Sequence, residues 1–131
     1  MLALLKRLFG KKAAAANSEA AFVLSIVDGE IISRRPEGST ERVALTDLRA
    51  VIIETNDSGP WGSDLWWILV GSQNNGCVFP GGATGEQVIL AALQQLPGFD
   101  NERLMQAMTS IGNGRFLCWE NPIDPRAAPS A

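Results

Sequence analysis

The sequence predicts an α+β domain: an antiparallel sheet of about six strands, built from two N-terminal hairpins and a central strand over 65–70, with two C-terminal helices packed on one face. Three observations carry this reading. Short runs rich in β-branched and aromatic residues fill the chain as far as Pro80. Within the domain, helical spacing begins only after that proline. The run 65–70 (LWWILV) has no polar residue on either face, so it must be covered on both sides and should be central.

In chain order, 21–27 (AFVLSIV) reads as a strand. Asp28-Gly29 follows, a pair favoured in two-residue hairpin turns, and 30–35 returns as its partner. Residues 36–39 form a loop. A short strand at 41–45 leads through a bend or single helical turn at 46–48 to another strand at 49–55. Residues 71–76 turn the chain, and 77–79 pairs back until Pro80, which has no amide proton for the ladder. Thr84 and Gln87 have capping-box spacing at the start of the first helix. Its apolar face is Ile89, Leu93 and Leu96, flanked by Val88 and Ala92, and Pro97-Gly98 stops it. Asp100 or Asn101 caps the second helix, whose apolar face is Leu104, Met105, Met108 and Ile111, with both methionines expected in the core. Residues 115–119 supply the last strand.

The organisation expected is a basic amphipathic head with a flexible linker over 1–20, one domain over 21–120, and a disordered tail over 121–131, where three prolines leave little to bury. A chain of 131 residues allows one domain and needs no disulfide or metal to fold. Lys6, Arg7, Lys11 and Lys12 put four positive charges and no acid in the first twelve residues. Removing these four from the formal net charge of −3 leaves −7 on the rest. An acidic body repels phosphate backbones, so nucleic acid is not the expected partner, whereas a basic protein is.

The chain has no histidine, which removes Ser-His and Cys-His nucleophile pairs and the usual zinc-ligand mixtures. Neither a catalytic motif nor a cofactor is expected. Cys77 and Cys118 sit in apolar strand segments and read as buried reduced thiols, fitting a cytoplasmic protein. The head is too short in apolar run to span a membrane. Wound as a helix, it places Leu4, Leu5, Leu8 and Phe9 on one face and Lys6, Arg7 and Lys11 off it, with Lys12 within the apolar arc. Residues Lys6, Arg7, Phe9, Lys11 and Lys12 are therefore candidates for weak contact with a membrane surface, a protein placed in the cytoplasm and peripheral to the inner membrane. The plain alternative is a frayed terminus.

The stretch 54–67 (ETNDSGPWGSDLWW) holds three of the four tryptophans and a polar, acidic loop. Loops beside rigid strands often carry binding residues. Trp61, between Pro60 and Gly62, is the candidate anchor for a partner, with Glu54, Asp57 and Asp64 as rim charges. The alternative is that Trp61 folds back over the sheet edge. The same oxygens suit calcium or magnesium chemically, but the spacing is not that of an EF-hand loop, and no metal site is assigned. The turn 81–85 (GGATG) feeds a helix but lacks the lysine of a phosphate-binding loop, so it reads as a plain strand-to-helix turn.

From Val43 to Glu120, the pattern DSGP at 57–60, DLWWIL at 64–69, LQQLPGFDN at 93–101 and FLCW at 116–119 resembles a group of small uncharacterised bacterial proteins with a pleckstrin-homology-like look. The resemblance implies a non-enzymatic cytosolic domain and supplies no catalytic residues. Two helices after the sheet depart from a one-helix pleckstrin-like plan. The leading expectation is thus a protein-binding module, adaptor or immunity-like by analogy, using the acidic loop. Membrane attachment through the head and a metal-dependent hydrolase built on the loop carboxylates are the alternatives.

Overall fold

The computed structural model describes residues 21–59 and 62–122, with backbone alone at 57–59 and 62–64. Its described strands are β1 (Val23–Val27), β2 (Glu30–Arg34), β3 (Thr40–Ala44), β4 (Leu48–Gly59), β5 (Gly62–Gly71), β6 (Gly76–Pro80) and β7 (Gly114–Glu120). Helices α1 (Glu86–Gln94) and α2 (Asn101–Thr109) lie between β6 and β7, and a single 3-10 turn at Leu45–Asp47 joins β3 to β4.

The α+β class holds, but one sheet becomes two. β1-β2-β3 forms a three-stranded antiparallel sheet, and β6-β5-β4-β7 forms a four-stranded one. The first hairpin turns where Asp28-Gly29 predicts. Asp28 has φ 52° and Gly29 φ 75°, the paired left-handed conformation of a tight hairpin. The separation into two sheets has a physical cause at β6. There the Val78 amide, on the edge facing away from β5, donates to the Glu41 carboxylate at 3.0 Å instead of to another strand. Glu41 is only 6 % exposed and pairs with buried Arg35 at 3.6 Å, while the Arg35 guanidinium lies 5.3 Å over the Phe22 ring. A side-chain carboxylate thus takes the place of a backbone acceptor and ends the larger sheet.

The helices do not share one sheet face either. α1 lies beside β1 of the smaller sheet, and α2 lies against β7 and β4 of the larger. The α1 side is tied by a parallel bridge between Val23 and Thr84. The helix cap falls at Gly85, one residue after the predicted Thr84, with φ 89°. A Cβ there would sit 2.4 Å from the Leu24 carbonyl oxygen, so this approach requires glycine. Asp100 caps α2 as predicted, its carboxylate accepting from the Arg103 amide at 2.9 Å.

β5 is the centre of the molecule. Trp66, Trp67, Ile68, Leu69 and Val70 are all buried, and their strand is flanked by β4 and β6. The two tryptophans face opposite ways. Trp66 meets Phe22 edge-on at 6.1 Å, whereas Trp67 stacks on Phe79 at 6.2 Å. Cys77 and Cys118 are free thiols and buried. Burial pushes the Cys118 thiol up to about 11, with Asp100 adding to the rise and Arg103 opposing it, so little thiolate exists at neutral pH.

The expectation for α2 is corrected. Its buried residues are Leu104 and Ala107, while Met105 and Met108 are 61 % and 42 % exposed. The small Ala107 side chain faces the body of the protein, and this rotation carries both methionines out of the core. Val88 on α1 is likewise exposed.

Candidate functional site

The distinctive surface is built by the β4–β5 hairpin. Pairing between these strands runs from Leu48↔Gly71 to Gly59↔Gly62. Their outer neighbours stop earlier: β7 ends its pairing to β4 at Thr55↔Gly114, and β6 ends its pairing to β5 at Trp66↔Pro80. The last four residues of β4 and the facing residues 62–64 therefore continue as a two-stranded arm, about 13 Å long at the usual strand rise, with a register shift between Asn56 and Gly59. Asn56 pairs with Asp64 in this arm, and Asp57 lies next along β4. The sequence thus forms strand where a loop is predicted over much of 56–64. Trp61 lies outside the described residues, as do Lys6, Arg7, Phe9, Lys11 and Lys12. The side chains of Asp57 and Asp64 are also outside the description, so of the four loop candidates only Glu54 has described side-chain contacts.

Glu54 stands at the foot of the arm. It is the direct cross-strand partner of Arg115, whose guanidinium lies 3.3 Å from its carboxylate. Such a partly exposed cross-strand pair contributes at most about 1 kcal/mol. Behind it, buried Thr55 donates to the Gly112 carbonyl at 2.8 Å and lies 3.3 Å from the Ser110 hydroxyl. These bonds tie the α2–β7 connection to the arm's foot. Glu54, Thr55, Asn56, Asn113, Gly114 and Arg115 line an open cleft of about 520 Å³ on this side.

A second groove, of about 330 Å³, opens on the β5 side of the foot. Leu65, Leu90 and Met108 give it apolar walls, and Gly81, Gly82, Glu86 and Gln87 close one end. Glu86 fixes that end. One carboxylate oxygen accepts from the Trp67 indole at 2.8 Å and the other from the Gly82 amide at 3.0 Å. The glycine turn therefore gives one of its amides to the chain's own carboxylate, in keeping with a strand-to-helix turn.

Sequence reasoning missed Glu86 and the exposed methionines. Glu86 reads only as a first-turn acid, and nothing local connects it with Trp67, which is nineteen residues away. Among the described residues, no group of three or more Cys, Asp or Glu side chains is placed to hold a metal ion. Among them also, no helix is long and apolar enough to cross a membrane. In comparisons with known proteins, no family model matches the chain, and neither a curated protein nor a solved structure matches it.

Proposed function

We propose that this chain is a small non-enzymatic protein-binding module, adaptor or immunity-like, whose contact element is the β4–β5 arm. The observation that carries the reading is the arm itself: two strands that continue past both of their neighbours while rooted in buried segments, Val51 to Ile53 and Trp66 to Val70. A rigid base under a protruding polar element limits the ordering cost of binding. Trp61 is the proposed anchor. Asp57 and Asp64 supply negative charge, with Glu54 held at the foot by Arg115. An acidic arm on an acidic body selects a basic partner surface and speeds its encounter. The pleckstrin-homology-like kinship belongs to this proposal and rests on the sequence pattern.

The test is capture from lysate of the protein's own cells with a C-terminal tag, wild type beside Trp61→Ala/Asp64→Ala. The reading expects a near-stoichiometric protein bound to wild type and lost from the double variant. Retention of the same protein by both would refute it.

A second reading is favoured by the four basic residues of the head: peripheral attachment to an anionic membrane surface, placing the protein in the cytoplasm against the inner membrane. Flotation with anionic vesicles distinguishes it. Neutralising Lys6, Arg7, Lys11 and Lys12 should abolish flotation, and equal flotation or none removes this reading.

A further inference from the structure

The groove on the β5 side of the arm is open and has an apolar wall beside polar Glu86 and Gln87. Leu65 and Leu90 are half-buried within it, and Met108 stands exposed at its edge. Met105 continues the exposed apolar strip one helical step away on α2. Exposed methionines adapt readily to an apolar occupant.

The start of the described chain leads into this neighbourhood. The Phe22 carbonyl accepts from the Thr84 amide at 2.9 Å, and the Leu24 amide donates to the Thr84 carbonyl at 2.8 Å. Ala21 therefore sits beside the turn whose Gly81 and Gly82 line the groove. The preceding residues carry a matching chemistry. Wound as a helix, they would put Leu4, Leu5, Leu8 and Phe9 on one face, with Lys6, Arg7 and Lys11 off it and Lys12 within the apolar arc, and the rest of the chain has a net charge of −7 once the basic head is removed.

We propose that the chain's own N-terminal segment is the occupant: residues 4–9 dock as an amphipathic helical turn, with Leu5 and Leu8 entering the groove against Leu65, Leu90 and Met108. Helix-in-groove docking uses anchors at this spacing. Reach is sufficient. Eleven residues from Gly10 to Ala20, if they behave as a flexible chain, would span about 18 Å, and Ala21, which they join, lies beside the turn that lines the groove. Tethering raises the effective concentration to the order of millimolar, so modest contacts suffice. The groove's volume is near the lower limit for ligand pockets and fits a few side chains, not a whole helix. The docked segment covers Leu65 at the foot of the arm, whatever the arm itself binds.

The test uses full-length protein carrying Arg7→Cys and Gln87→Cys. Both native thiols are buried, so the added pair reacts selectively under mild oxidation. Docking predicts a cross-link within one chain, at a rate independent of protein concentration and slowed at least tenfold by Leu5→Asp/Leu8→Asp. A cross-link between chains that grows with concentration would make a second copy the occupant and overturn the proposal, as would a rate unchanged by the aspartates. Should the thiols fail to align, the Met108 methyl signal decides in the cysteine-free full chain. It should shift on Leu5→Asp/Leu8→Asp, and an unshifted signal overturns docking.

Discussion

The same two strands, β4 and β5, behave differently at their two ends. From Val51 to Ile53 and from Trp66 to Val70 they are buried, with β7 bonded to one outer edge and β6 to the other. Beyond Thr55 and Leu65 the pairing continues without either neighbour. Stability therefore resides in the lower half, where apolar area leaves water on both faces. The upper half, which has no outer neighbour bonded to it, is the part proposed to present chemistry.

The sharpest way to break this comparison is at Trp67. Trp67→Ala should cost about 3–5 kcal/mol in denaturant unfolding, the usual penalty for a core aromatic, and should also strip Glu86 of one donor. A loss below 1 kcal/mol would show that the lower half is not the stability centre. Glu86→Ala should follow at about 1–3 kcal/mol, because it leaves the Trp67 indole donor without that acceptor.

Alkaline pH tests the same core chemically. The Cys118 thiol ionises near 11 in the fold against an ordinary 9.0. Unfolded chains lose this proton first, so the neutral thiol's contribution is complete below pH 9 and is lost as pH rises towards 11. Stability should fall by up to about 1.4 kcal/mol per pH unit in that window. The chain has no tyrosine to confuse the titration. Cys118→Ala should flatten the decline, and an equal slope in the variant would place its origin elsewhere. Asp100→Ala removes the cap of α2 and should cost about 1 kcal/mol by thermal unfolding.

Much of the fold was legible locally. The Asp28-Gly29 turn, the fully apolar central strand and the Asp100 cap each follow from residue chemistry within a few positions. The two-sheet arrangement was not, because it depends on Glu41 reaching the Val78 amide across 37 positions. The α2 face was misread because apolar spacing alone favours Met105 and Met108 over the small Ala107. At the site, the acidic tryptophan-bearing segment was visible as composition, while its extension into an arm emerged only from where β6 and β7 stop. Glu86 and the apolar groove depend wholly on distant pairings.

The central claim is that the arm serves binding and not folding. The measurement that tests it most directly is unfolding and partner capture on one preparation of Trp61→Ala/Asp64→Ala beside wild type. The account predicts unfolding free energies within about 0.5 kcal/mol of each other and loss of the captured protein. A variant that keeps its partner, or one that loses several kcal/mol of stability, would contradict it.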